Sequence, residues 1–152
     1  MAKITKIGAA GLHLIKDFEG LKFKPYQCSA GVWTIGIGTT VYPNGQKVNQ
    51  SDSPINEIVS LLYLTHDLEY FCKQVDAYTT DAVNQSQFDA LVSFGYNCGM
   101  GNLKSSTLLK KVNINPNDPT IAAEFLKWNR AGGKIVSGLT RRRQAESDLY
   151  FS

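Results

Sequence analysis

EGLKFKPYQCSAGVWTIGIGTT, residues 19–40, sets an acid at the end of an apolar stretch and follows it with a ribbon rich in glycine and aromatic residues. Upstream, Leu12, Ile15 and Phe18, or Leu14 and Phe18, recur at helical spacing, which predicts a first helix ending near Gly20. Downstream, from Lys22 to Val48, Gly31, Gly36, Gly38 and the Pro43-Asn44-Gly45 turn alternate with Phe23, Tyr26, Val32, Trp33, Ile35, Ile37 and Val41. That alternation predicts a small antiparallel sheet of two or three short strands. Trp33, Ile35 and Gly36 are expected in the sheet core, and the glycines where the backbone twists sharply or passes close to something else.

Beyond Ser51 the strand pattern stops. Ser53-Pro54 with Glu57 in the first turn predicts a helix start, and Ile55, Ile58, Leu62, Leu68, Cys72 and Val75 mark one face of a long helix to about Tyr78. Asn84 to Cys98 reads as another helix closed by Gly99. A short one is capped by Ser105 or Ser106, and one runs from Asp118-Pro119 to about Asn129, where RAGG breaks it. The last helix spans about Leu139 to Phe151. The expected class is α+β, mainly helical. A small sheet lobe (about 20–50) and a larger helical lobe (about 52–152 with the N-terminal helix) form a single domain over 1–152, with a cleft between the lobes.

A chain of 152 residues with 43% hydrophobic content can bury one substantial core. Its net charge of +3 suits an anionic partner but is too small to mark a nucleic-acid binder. The stretch Ile7–Ile15 is short, contains His13 and runs into Lys16 and Asp17, so neither a membrane span nor a signal peptide is expected. Cys28, Cys72 and Cys98 are an odd set without metal-binding spacing, which favours reduced thiols. Cys72 falls on an apolar helical face and is expected to pack. His13 and His66 lack neighbours at ligand spacing, so no metal and no cofactor are expected.

Two places carry candidate chemistry. An acid at a helix C-terminus, as Glu19 is, meets the unfavourable end of the helix dipole. The plain reading is a surface carboxylate; partly desolvated, it would keep its proton more readily and could serve as a general acid. In the last helix, Leu139, Arg142, Arg143, Glu146, Leu149 and Tyr150 follow i, i+3, i+4, i+7, i+10, i+11 spacing. Two arginines and an acid thus fall on the face that should turn inward. Buried arginines need carboxylates. Glu146 can serve one of them and Glu19 is a candidate for the other, with Arg141 pointing outward; solvation of all three arginines is the alternative. Ser93 and Asn97 fit either a cleft floor or helix packing.

Glu19 with Gly20, Tyr26-x-Cys28, GVWTIGIGTT, QFDALVSFGYNCG, STLL and FLKWNRAGGKIVSGLTRRRQAE, in this order, resemble the phage-type lysozymes, or endolysins, a glycoside hydrolase family. The resemblance covers about Gly11 to Phe151. That family's signature is Glu, eight residues, Asp or Cys, five residues, Thr, and Glu19, Cys28 and Thr34 match it without a gap. The resemblance implies a muramidase that hydrolyses the β-1,4 bond between N-acetylmuramic acid and N-acetylglucosamine. Glu19 would be its general acid, Thr34 its water-positioning residue, and Cys28 would stand where many relatives have Asp. A thiol is mostly neutral near pH 7 unless its surroundings lower its pKa, so Cys28 is the departure that matters most.

The resemblance further implies peptidoglycan strands as the partner and a monomer. It implies residence in the host cytoplasm until lysis, action at the wall in the periplasm, and a separate holin for release. No nucleic acid and no stable membrane insertion are expected. A lytic transglycosylase, which cuts the same bond without water, is one alternative. A non-enzymatic protein that binds the wall or perturbs membranes through its basic last helix is another.

Overall fold

A glycine closes the first helix. α1 (Ala9–Glu19) ends where Gly20 takes φ +81° and its N–H donates to the Lys16 carbonyl at 2.9 Å, a conformation open to glycine at no steric cost. The computed structural model describes residues 3–152. Among these, eight helices and two two-stranded antiparallel sheets give the expected α+β class, mainly helical. The chain divides into two compact units: Ile15–Glu69, and the chain up to Leu14 together with Tyr70–Ser152.

In the smaller unit, β1 (Lys22–Gln27) and β2 (Trp33–Gly36) pair antiparallel, with Tyr26 opposite Thr34 and Gln27 opposite Trp33. The register shifts between Lys22 and Tyr26. Pro25 lies in that interval and has no N–H to give the ladder. The turn is closed by Gly31, whose N–H donates to the Cys28 carbonyl at 2.8 Å, and by the Cys28 N–H, which donates to the Val32 carbonyl at 3.0 Å. Single bridges Ile35↔Thr39 and Val41↔Lys47 extend the ribbon over the expected span. Ile15, Ile35, Ile37, Leu64 and Leu68 are fully buried. α2 (Glu57–Asp67) packs on β2, where a Cβ on Gly36 would meet Ser60 Oγ at 3.2 Å.

Two expectations for this region need correcting. The helix starts at Glu57, not at Ser53-Pro54. The Ile55 N–H is taken by the Phe23 carbonyl at 2.9 Å, and the Asn56 side chain caps α2 by accepting the Val59 N–H at 2.8 Å. The single long helix is two, α2 and α3 (Glu69–Tyr78), separated at Leu68. The apolar stripe holds at Leu68, Cys72 and Val75 but fails at Ile58 and Leu62, which are 71% and 63% exposed. Ser60 and Leu64 turn inward instead. Gly36 admits the small Ser60, whose hydroxyl is satisfied by the Asn56 carbonyl at 2.8 Å.

The larger unit is organised on α4 (Gln85–Cys98), whose Phe88, Ala90, Leu91, Val92 and Phe94 are fully buried. Asn84 and Gln87 form a reciprocal capping box at its start, and Gly99 caps its end. α5 (Met100–Ser105), α6 (Thr107–Ile114) and α7 (Ile121–Leu126) follow, and α8 (Ser137–Tyr150) packs on both α4 and α7. Ser106 caps α6 by accepting the Leu109 N–H at 3.0 Å. α5 was not expected, and α7 begins later than Asp118-Pro119. The Asp118 carboxylate accepts both the N–H and the hydroxyl of Thr120, which holds a turn ahead of the helix. The break at RAGG is a hairpin, β3 (Arg130–Ala131) and β4 (Lys134–Ile135), turned by Gly132 and Gly133 at φ +58° and +77°.

Candidate active site

The end of α1 and the first hairpin place Glu19, Cys28 and Thr34 in one compact unit. Glu19 is the last residue of α1 and is half-buried. Cys28 leads the turn that follows β1, also half-buried. Thr34 lies within β2, 3% exposed, with its hydroxyl donating to the Val32 carbonyl at 2.9 Å.

Backbone N–H groups surround the Cys28 sulfur. Those of Val32 and then Ala30 hold the thiol below its ordinary pKa against the opposing effect of burial, and the Thr34 hydroxyl adds to them. Fixed amide donors at the turn favour the thiolate form. The Thr34 hydroxyl has one hydrogen, and it can go to the Val32 carbonyl or to the sulfur. When it goes to Val32, the oxygen lone pairs stay open to accept from water.

Tyr26 is the residue that sequence reasoning missed. It lies directly across the ladder from Thr34 and two residues before Cys28, so the pleat brings all three to one sheet face. Burial pushes its phenol up, and the charges of Cys28 and then Glu19 push it further. Both groups therefore lie close enough to act on it. Lys22 Nζ sits 4.2 Å from the centroid of its ring. The available signal was period-2 alternation from Cys28 back to Tyr26; the pairing with Thr34 depended on a register that Pro25 interrupts.

Arg142 and Arg143 belong to the other unit, 4% and 0% exposed, while Arg141 is exposed as expected. Glu146 contacts both from their own helix. Arg143 Nε lies 2.6 Å from Glu146 Oε1, an ion-pair contact not aligned as a hydrogen bond, and Arg142 Nε lies 3.5 Å from Oε2. Ser93 is fully buried and donates to Glu146 Oε2 at 2.5 Å, and Arg143 Nη2 donates to Asn97 Oδ1 at 2.8 Å. Burial pushes the Glu146 carboxyl up, opposed by Arg143, Ser93 and Arg142. Packing thus accounts for Ser93. Asn97 also lines a 310 Å³ pocket with Asn102, Lys127, Trp128 and Arg130.

Residues 16–146 match the family model described as Phage lysozyme. The chain is 38% identical to an endolysin of Acyrthosiphon pisum secondary endosymbiont phage 1, covering 96% of this chain and 98% of that one. It is 44% identical to an endolysin of Bacillus phage B103 over 96% of its own length, but it spans only 54% of that relative. Among solved structures, a mutant of the P22 lysozyme superposes with a TM-score of 0.88 at 31% identity, covering 98% of this chain and all of that one.

Proposed function

The chain belongs to the phage lysozyme family, and we propose that it is an endolysin hydrolysing the β-1,4 bond between N-acetylmuramic acid and N-acetylglucosamine in peptidoglycan. The observation that carries this reading is that Glu19, Cys28 and Thr34 fall in one compact unit, with Thr34 directly across the ladder from Tyr26 and Cys28 two residues beyond it. Each has the chemistry that glycoside cleavage needs. Glu19 protonates the glycosidic oxygen as the bond breaks. Thr34, when its hydrogen goes to Val32, accepts a hydrogen bond from water and directs the water lone pair at the anomeric carbon. The Cys28 thiolate, favoured by its amide donors, takes the proton from that water or supports the positive charge of the oxocarbenium-like transition state. Attack from the face opposite the leaving group inverts the anomeric centre.

A lytic transglycosylase would have no use for a threonine held as a water acceptor, which favours hydrolysis over that alternative. Purified sacculi digested with the protein should release muropeptides ending in reducing muramic acid, and Glu19→Gln should release almost none. Anhydro ends would replace the reading with a transglycosylase. Killing of cells that survives Glu19→Gln would replace it with a non-enzymatic activity.

In this reading the enzyme waits in the host cytoplasm as a monomer and reaches the wall when a holin opens the membrane. Among the described residues no helix is long and apolar enough to cross a membrane. Cells expressing the protein alone should therefore keep their turbidity until chloroform is added and then clear. Clearing without a permeabiliser would contradict the need for a holin.

A further inference from the structure

The smaller unit carries a second polar concavity, lined by none of Glu19, Tyr26, Cys28 or Thr34. It is a pocket of 530 Å³ formed where the Tyr42–Gln46 turn faces Asp52, Ser53 and the α2 residue Tyr63, with Pro43, Pro54 and Ile55 as apolar wall. Its volume falls within the range of about 300–1,000 Å³ found for small-molecule sites. The Tyr42 and Tyr63 rings meet edge to face at 63°, with centroids 5.5 Å apart. Tyr42 donates its hydroxyl to Asp52 Oδ2 at 2.7 Å, and the Asn49 N–H donates to the same oxygen at 2.8 Å.

The walls are set before any ligand arrives. The Gly45 N–H donates to the Tyr42 carbonyl at 2.9 Å, the Tyr42 N–H to the Gln46 carbonyl at 2.8 Å, and the Gln46 N–H to Asn44 Oδ1 at 2.9 Å. Within this fixed frame several polar atoms remain unused. Asp52 Oδ1, Tyr63 Oη, Ser53 Oγ and Gln46 Nε2 make no hydrogen bond to the described residues. One is an anionic acceptor and the other three are donors, two of which are hydroxyls that also accept.

That mixture selects the ligand class. Among the described residues Asp52 is the only charged one lining the pocket, and the hydrogen bonds from Asn49 and then Tyr42 keep its carboxyl below the ordinary range, so an anion is repelled. An ammonium group would satisfy Asp52 and could donate to the hydroxyls but, having no acceptor, would leave Gln46 Nε2 without a partner. A sugar uses both kinds of group. Its hydroxyls donate to Asp52 and accept from Gln46 and Tyr63, its ring C–H face lies on a tyrosine, and an acetyl methyl fits against Pro54 and Ile55.

We infer that this pocket is a second carbohydrate site, holding an N-acetylated hexose of a glycan strand apart from the Glu19 face. The choice of N-acetylated sugar rests on the proposed function, and the site would keep the enzyme on an insoluble polymer between cuts. The test is a titration of isotope-labelled Glu19→Gln protein with tri-N-acetylchitotriose, followed by amide NMR. Saturable shifts are expected at Asn44–Gln46 and Tyr63, with a separate set around Tyr26, Cys28 and Thr34. Adding Gln46→Ala, an exposed change that leaves the fold alone, or Tyr63→Ala should weaken the first set roughly tenfold and leave the second in place. Shifts confined to the Tyr26–Thr34 face would overturn the inference. So would an equal response of the loop to the sugar in the Gln46→Ala protein, or a stronger response to N-acetyl-lysine amide than to the sugar. Failure of the endolysin reading is seen separately, as sacculus digestion that survives Glu19→Gln.

Discussion

Cys28 and Cys98 are both half-buried thiols, yet their surroundings drive them in opposite directions. Cys98 lies at the end of α4 and accepts a hydrogen bond from Arg143 Nη1, but burial still pushes its thiol up. The Arg143 charge favours the thiolate and Glu146 opposes it, but burial is the larger cause. Cys28 has no such cation among its causes and is lowered by the N–H groups of Val32 and Ala30. At Cys98 burial outweighs the Arg143 charge, whereas at Cys28 the amide donors outweigh burial. The same contrast separates the two charged regions. The α4–α8 network holds its charges between two helices, and the hairpin face is where the proposed function puts the substrate.

The largest effect that could break this contrast is on Glu19. Glu19→Gln should reduce wall lysis by about 100- to 10,000-fold while leaving the fold intact. Turbidity clearing within a few-fold of the parent would remove Glu19 from the site.

The next effect falls on the buried network and should appear in stability. Arg143→Ala leaves Glu146 buried beside a lost partner, at a cost of about 3–5 kcal/mol. Arg141→Ala, on the exposed side of the same helix, should cost less than about 0.5 kcal/mol. Equal losses in melting temperature would mean that the inward face of α8 is misassigned.

A smaller difference sharpens the comparison of the thiols directly. The thiolate is the form that alkylates, so the rate at each cysteine rises as pH climbs through its own pKa. With Cys28 lowered and Cys98 raised, iodoacetamide should reach half its maximal rate at Cys28 below the ordinary thiol value of about 8.5 and at Cys98 above it. Peptide mass spectrometry across a pH series reads both. Activity should fall in step with Cys28 modification, survive Cys28→Asp and be lost in Cys28→Ala. Full activity with Cys28 quantitatively alkylated would make this residue structural.

What could be read from the sequence followed how local its cause is. Gly20 and Gly99 as helix stops, and Ser105 or Ser106 as a cap, need only neighbouring residues, and Gly20, Gly99 and Ser106 hold those places in the structure. The inward arginines were legible because charges at helical spacing between Leu139 and Tyr150 must share the buried face. Contacts distant in sequence misled the rest. Asn56 displaced Ser53 as the cap because Phe23, on another element, holds the Ile55 N–H. Ile58 and Leu62 lost the buried face to Ser60 because Gly36 leaves room only for a small side chain. Tyr26 was hidden for the same reason: its place opposite Thr34 depends on a strand register with an irregularity before it.

On the proposed function, the Glu19, Cys28 and Thr34 face adds water across a glycosidic bond. Digestion of purified sacculi in heavy-oxygen water, read by mass spectrometry of the muropeptides and by NMR of the first anomer formed, tests it most directly. The expected result is reducing muramic acid ends that carry one solvent oxygen and appear first as the inverted α anomer, with Glu19→Gln producing almost none. Anhydro ends without solvent oxygen, or label incorporation that persists in Glu19→Gln, would contradict it.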